Sequence, residues 1–141
     1  MENVKDIHIG ALVDQRVQEQ EIDINRICKF FKATENEIVK MYSMKSLDAE
    51  VLLKWSKLLE YDFFRLYSSH LILFAPVASL NKKKVKSKLP QFRKSLYTKE
   101  IIDYILELIE SKQKTTLEII DQYRIPKTTL HKWLSKYKHS T

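Results

Sequence analysis

The scarcity of glycine is the feature that most restricts how this chain can fold. Gly10 is the only glycine among 141 residues. The chain also has only three prolines. A β-sandwich or β-barrel needs many tight turns, and glycine and proline are the residues that most often form them. Leucine, isoleucine, lysine and glutamate are abundant instead, and together with glutamine they favour helices. The sequence therefore predicts an all-α fold.

Residues 1–74 predict a domain of five short helices. Apolar residues recur at helical spacing over residues 9–17, and Asp23 can cap a second helix. Thr34 and Glu37 have the spacing of a capping box, which starts a third helix after a turn of only a few residues. Two short helices joined in this way are typical of a helix-turn-helix.

A fourth and a fifth helix are predicted to close this small core. The fourth covers about residues 48–59, and Asp62 can cap the fifth. Both carry large apolar side chains at helical spacing, which we interpret as packing groups rather than as a ligand site. These residues are Val51, Leu52, Trp55, Leu58, Leu59, Phe63, Leu66 and Tyr67.

Positive charge is concentrated in one connecting segment. Residues 75–94 hold seven basic residues and no acidic one, whereas residues 1–74 have a net charge of −2 and residues 95–141 one of +2. We interpret residues 75–96 as a basic, flexible linker that is attracted to polyanions, and the alternative of a soluble spacer is weaker because acids are absent. Its candidate phosphate contacts are Lys82, Lys83, Lys84, Lys86, Lys88 and Arg93.

Residues 97–141 predict a second domain, of three helices. Thr98 can cap a long helix whose isoleucines and leucines recur at helical spacing. A second helix is predicted to begin near Thr115 and to bury Leu117 and Ile120. A short turn then leads into the last helix, so this domain also contains the helix-turn-helix pattern.

The last helix is predicted over residues 127–137, with Pro126 suited to its first turn because a proline there loses no needed amide. Its apolar side would face the core, which leaves hydroxyl groups and cations outside. Such side chains contact DNA bases and phosphates, and an ordinary solvated helix is the alternative interpretation. The candidate base contacts are Thr128, Thr129 and His131, and the candidate backbone contacts are Lys127, Lys132 and Lys136.

Residues 7–67 resemble the lambda-repressor-like, Cro-type helix-turn-helix family. The stretch from Ile27 to Thr34 falls where that family has its second helix and turn, and the stretch from Leu52 to Leu59 matches its fourth helix. The resemblance implies a third helix that contacts DNA. It makes Thr34, Asn36 and Lys40 a second candidate DNA surface.

This first domain departs from the family at functional positions. Ile24 replaces a polar residue at the start of helix two, and Lys32 replaces the turn glycine. Glu35 and Glu37 begin the third helix, where carboxylates repel phosphates. A DNA contact and a protein-interaction or dimerisation surface are therefore equal alternatives for this domain.

Residues 97–138 resemble the homeodomain-like helix-turn-helix of insertion-sequence transposases. The likeness lies between Ile125 and Leu134, where hydroxyl residues precede a leucine and a tryptophan follows. Pro126 departs from the usual serine cap, and His131 stands in place of a common tyrosine. The resemblance implies that the last helix docks in the major groove of double-stranded DNA.

Catalytic and cofactor sites are not indicated. A phosphate-binding loop needs several glycines, and one cysteine with four scattered histidines has no metal-binding spacing. A transposase nuclease core needs three carboxylates on a mixed sheet, which this sequence does not predict. We therefore expect that the protein is not an enzyme and needs no cofactor.

Secretion and membrane insertion are also not indicated. Glu2 and Asp6 are unlike the start of a secretory signal, and the longest mostly apolar stretch, residues 71–78, contains a proline and is too short to span a bilayer. We expect a cytoplasmic, nucleoid-associated protein without a membrane partner.

Together these features predict a DNA-binding helix-turn-helix protein. It would be the recognition component of a transposition system that works with a separate catalytic transposase chain, or a transcriptional regulator derived from one, and a homodimer is a further expectation. The alternative is a protein-interaction adaptor, which the acidic third helix favours and the cationic last helix opposes. RNA binding is weaker, because no sheet presents aromatic side chains to bases.

Overall fold

The computed structural model describes residues 2–75, 86–90 and 97–137, and the regular structure within these ranges is entirely helical. The all-α prediction is confirmed. In chain order the helices are α1 (Glu2–Lys5), α2 (Ile9–Gln20), α3 (Ile24–Phe31), α4 (Glu35–Tyr42), α5 (Ala49–Leu59), α6 (Phe64–Phe74), α7 (Lys99–Glu110), α8 (Thr116–Tyr123) and α9 (Lys127–Tyr137).

The chain divides into two compact units, one from Glu2 to Ser68 and one that begins at Ser69. The division falls inside α6, whereas the sequence predicts domain boundaries after residues 74 and 96, and those boundaries stay predictions. The five helices predicted over residues 1–74 correspond to α2–α6. The short helix α1 was not predicted, since four residues are too few to show a helical period.

Side-chain caps explain where most of these short helices begin. Each capping side chain accepts a backbone N–H from the first turn, which would otherwise lack a partner. The capping boxes predicted at Thr34 with Glu37 and at Thr115 with Glu118 are both present. The capping residues are His8, Asp23, Thr34, Asp48, Asp62, Thr98 and Thr115.

Helix ends use an unusual set of residues. At five helix ends in the described ranges, the chain leaves the helix through a left-handed backbone conformation, which glycine adopts at lowest cost. The one glycine, Gly10, is not at any of these ends, and a charged residue occupies each of them. They are Glu21, Lys32, Glu60, Lys112 and Arg124, with φ angles between 51° and 60°.

The core of the first unit is built by α2 to α5 and the turn before α6. Trp55, which is 0% exposed, lies at its centre. Its ring is 4.5 Å from the ring of Phe31 and 6.0 Å from that of Tyr42. The helix α2 packs against α4 and α5, and α3 packs against α4. The other buried residues are Ile9, Val13, Val17, Ile27, Ile38, Leu52, Leu59 and Phe63.

Gly10 lies in the first turn of α2, where this helix meets the end of α4 and the segment that follows it. The N–H groups of Ile9 and Gly10 donate hydrogen bonds to the carbonyl oxygens of Lys45 and Met44, at 2.9 and 3.0 Å. A Cβ atom on residue 10 would overlap backbone oxygens there, including that of Met44 at 2.5 Å. Glycine is therefore required by a close approach of two backbone segments.

The core of the second unit lies where α7 and α8 pack against α9. The prediction that α8 buries Leu117 was wrong, because that side chain is 74% exposed. Ile119 is buried instead and Ile120 is half-buried. Two positions along a helix turn a side chain through about 200°, so a small error of phase exchanges the two faces. The residues exposed by 1% or less are Ile101, Ile105, Ile119, Ile125 and Leu130.

Among the helices of the described ranges, none is both long and apolar enough to cross a membrane. The longest of them, α2 and α7, have 12 residues each.

We expect Gly10→Ala to lower the free energy of unfolding of the first unit by about 1–3 kcal/mol, the usual cost of excess volume at a packed site. At an exposed helical position, replacing glycine by alanine raises the free energy of unfolding. The sign of the change in unfolding free energy therefore tests whether the backbone segments approach closely at Gly10. Ala11→Ser at the exposed neighbouring position is the control. Urea denaturation followed by Trp55 fluorescence measures both, and a stabilised Gly10→Ala protein would contradict the expectation.

The two tryptophans allow each unit to be followed separately, because Trp55 is 0% exposed in the first core and Trp133 is 8% exposed in the second. The variant Trp133→Phe reports on the first unit and Trp55→Phe on the second. We expect Gly10→Ala to lower the urea midpoint in the Trp133→Phe background and to leave it unchanged in the Trp55→Phe background. Equal shifts in both would show a single cooperative unit.

Candidate functional site

The helix α9 is held by its inner face and by the turn that precedes it. Leu130 is 0% exposed and Trp133 is 8% exposed, on the side that packs against α7 and α8. In the turn, Arg124 has the left-handed conformation and Ile125 is 1% exposed. Because the turn is anchored by a buried side chain, the orientation of α9 within its unit is well defined.

The first turn of α9 has no side-chain cap within the described part of the chain. The carbonyl oxygen of Pro126 accepts the N–H of Leu130 at 3.0 Å, but the proline ring has no acceptor atom. The N–H groups of Lys127, Thr128 and Thr129 therefore point outward at the positive end of the helix dipole. This end of α9 can accept an external anion more readily than a capped end.

The outer face of α9 is a continuous polar stripe. Five of the six contact residues predicted on this helix lie on it, at spacings of one, three and four residues, and they line one shallow, open depression. The predicted contact Thr129 is half-buried at the margin of the stripe. The residues of the stripe are Lys127, Thr128, His131, Lys132, Ser135 and Lys136.

Ser135 is the member of this stripe that the sequence analysis missed. It lies four positions after His131 and seven after Thr128, so helical periodicity places all three on one side. Its exposed hydroxyl group can both donate and accept a hydrogen bond. The periodicity alone could have identified it, because Ser135 lies one turn after His131 and directly before the predicted contact Lys136.

Charge is segregated within residues 97–137. All six acidic residues lie in α7 and α8, and none follows Asp121. The cations Arg124, Lys127, Lys132 and Lys136 lie beyond it. Salt bridges between described residues occur only in the first unit, so the lysines of α9 have no acidic partner among them. The outer face of α9 is therefore an unneutralised cationic surface.

Tyr97 connects the basic segment to α9. Its ring packs edge-on against Trp133, with the ring centroids 5.0 Å apart and the planes at 77°. Burial raises the pKa of the Tyr97 hydroxyl group above its ordinary value. The chain that follows the basic segment is thus fixed to the inner side of α9 itself.

The predicted contacts of the basic segment are only partly described. Lys86 and Lys88 are exposed and lie outside regular structure. Lys82, Lys83, Lys84 and Arg93 lie outside the described residues.

The second predicted DNA surface, on α4, has a different character. The Thr34 hydroxyl accepts the Glu37 N–H at 3.3 Å, and the Glu37 carboxylate accepts the Thr34 N–H at 3.0 Å, so both side chains cap the helix. Asn36 and Lys40 are exposed on α4, but Glu35 is exposed beside them. These residues lie together, and their surface has no excess of positive charge.

No known protein family, curated protein or solved structure matches the chain. The resemblances to the two helix-turn-helix families stay predictions. Among the described residues, no three histidine, cysteine, aspartate or glutamate side chains lie close enough together to hold a metal ion.

Proposed function

We propose that the chain is a DNA-binding helix-turn-helix protein that contacts double-stranded DNA with the outer face of α9. The observation that carries this proposal is the acid-free polar stripe of α9, in which hydroxyl groups and an imidazole alternate with lysines. Hydroxyl groups and imidazoles can contact base edges, and lysines bind phosphates.

The order of side chains around α9 suits a major groove. Thr128, His131 and Ser135 lie in the middle of the stripe, and Lys127 and Lys136 lie at its two edges, about 180° apart around the helix axis. A major groove is about 12 Å wide and admits a helix, with a phosphate strand on either side. In this arrangement the central residues face bases while each edge lysine faces one strand.

The distribution of charge supports the same orientation. The acids of α7 and α8 precede the turn, so α9 can approach a polyanion with its cationic side. The uncapped N–H groups at the start of α9 add a favourable site for a phosphate group. The basic segment adds a salt-sensitive contribution that does not depend on sequence.

The biological setting that we propose is the one the sequence resemblance implies. The protein would be the DNA-recognition component of a transposition system, with strand chemistry supplied by a separate catalytic chain, or a transcriptional regulator derived from such a component. It would act in the cytoplasm, associated with the nucleoid, as a monomer or as a homodimer. The target sequence would be selected by α9.

A second candidate function, that of a protein-interaction adaptor, is favoured by one observation on the first unit. The outer side of α4 combines Glu35 with Val39, which is 52% exposed. An acidic surface with an exposed apolar side chain suits a protein partner better than a phosphate backbone. In this case α4 would bind protein and the cationic stripe of α9 would remain unused.

The proposal is tested by the salt dependence of binding to a fluorescently labelled DNA duplex of mixed sequence. Each phosphate that a lysine neutralises contributes roughly 0.9 to the slope of log affinity against log salt. We expect Lys132→Ala with Lys136→Ala to reduce this slope by roughly 2. Fluorescence anisotropy measures this binding for the full chain and its variants. We also expect a variant that lacks residues 82–94 to bind every duplex sequence more weakly than the full chain does.

The matched control is Lys54→Ala with Lys57→Ala, which removes two exposed lysines from α5. The control should retain the slope of the unmodified protein, because Lys54 and Lys57 are not part of the α9 stripe to which the proposal assigns DNA binding. Equal slopes in the α9 variant and the unmodified protein would contradict the proposal. Absence of binding at low salt would contradict it as well and would favour the adaptor.

Sequence preference is expected to depend on the centre of the stripe. Thr128→Ala with His131→Ala should relax the preference among duplexes, while total affinity falls less, because these side chains face bases rather than phosphates. Selection from a randomised duplex library, followed by competition binding, measures the preference. The control is Thr129→Ala at the half-buried margin, and an equal loss of preference there would place the base contacts elsewhere.

A further inference from the structure

We infer that the first unit has its own phosphate-binding surface and that this surface is the outer face of α3 with the turn that follows it. From the sequence, the DNA contacts of this unit are predicted on α4, at Thr34, Asn36 and Lys40. The inference adds a second DNA contact to the proposed function, but it depends on different residues and can succeed or fail by itself.

The helix α3 has two sharply different faces. Its inner face is formed by Ile24, Ile27, Cys28 and Phe31, of which Ile27 is 0% exposed and the other three pack against the first core. All four remaining residues are exposed, and they are Asn25, Arg26, Lys29 and Phe30. Arg26 and Lys29 are therefore not part of the first core, whereas the ring of Phe30 packs on that of Phe31 with the centroids 5.2 Å apart.

The outer face of α3 is cationic in a unit that is acidic as a whole. Residues 24–34 include Arg26, Lys29 and Lys32 and no acid, whereas residues 1–74 have 12 acids and 10 bases. The three cations share none of the salt bridges formed by described residues. Other cations of this unit, such as Lys45 and Arg65, lie 2.9 and 3.3 Å from a carboxylate.

The spacing of these cations fits a phosphate strand. Arg26 and Lys29 are three residues apart on α3, about 4.5 Å along the helix axis and about 60° around it, and Lys32 follows the helix in the left-handed conformation. Two cations this close on one exposed side can contact neighbouring phosphates of one DNA strand, and Lys32 adds a third positive charge beside them. The backbone of α3 fixes the spacing of Arg26 and Lys29, so this surface does not depend on the basic segment.

The neighbouring helix shows why α4 is the weaker choice. Glu35 and Glu37 occupy its first turn, and Lys40 is its only cation. A duplex laid along α4 would meet the two carboxylates of its first turn, whereas along α3 the only acid is the capping Asp23, and two cations follow it. The surface on α3 therefore replaces the predicted surface of Thr34, Asn36 and Lys40 as the DNA contact of the first unit.

The experiment compares Arg26→Glu with Lys29→Glu against a control double variant, Lys45→Glu with Arg65→Glu. Both pairs lie on exposed positions of the first unit and change the net charge by the same amount. We expect the α3 pair, in the full chain, to lower the slope of log affinity against log salt by roughly 2 for a labelled mixed-sequence duplex. The control pair should leave it nearly unchanged.

Folding of each variant is monitored by far-ultraviolet circular dichroism and tryptophan fluorescence. If the two glutamates unfold α3, the charge-neutralising variant Arg26→Gln with Lys29→Gln is used in place of the charge-reversing one. Equal slopes in the α3 and control variants would overturn the inference. Preferential binding of polyglutamate over the duplex, lost in the α3 variant, would also overturn it, because the partner would then be an acidic protein.

The α9 variants separate this inference from the proposed function. If the α9 variants lose affinity and the α3 variants do not, the proposed function holds and the inference fails. If only the α3 variants lose affinity, the inference holds and the α9 assignment fails. If the unmodified chain binds no duplex at low salt, both fail.

Discussion

The first unit depends on how closely the start of α2 lies against the end of α4. The first N–H groups of α2 have no intrahelical partner, and those of Ile9 and Gly10 donate instead to carbonyl oxygens of Lys45 and Met44, in the segment directly after α4. These hydrogen bonds hold the segment at the C-terminal end of α4, while the capping box at Thr34 holds its N-terminal end. A helix of eight residues has little stability alone, so these end contacts and the buried Ile38 hold it in place.

The helix pairs α3 with α4 and α8 with α9 are joined by the same kind of turn but present different surfaces. Lys32 and Arg124 both leave a helix in the left-handed conformation, and the apolar residue that follows each of them turns inward. The helices that come next differ in charge, because α4 starts with two glutamates and α9 has no acid. The shared geometry therefore carries no information on function, which depends on the side chains that the second helix presents.

Local features of the sequence predicted most of the helices and their caps. A capping box needs only Thr34 and Glu37 in the right order, so it can be recognised without tertiary structure. The packing of Gly10 could not be predicted, because it depends on a segment more than thirty residues away. Leu117 was wrongly assigned to the core, since both faces of α8 carry apolar residues and only the packing of α7 and α9 selects between them. The stripe on α9 was largely predicted, because one helical period places its residues together.

The packing of Tyr97 on Trp133 has a consequence for how the basic segment would act on a bound duplex. Arg93 and Lys94 are the basic residues nearest to this contact in the sequence, four and three residues before Tyr97. Under the proposed function, so short a connection would keep these two cations at a high effective concentration near DNA bound by α9. Segment and helix would then act as a bivalent ligand, and a contact that is lost at one site would re-form before the other site dissociates.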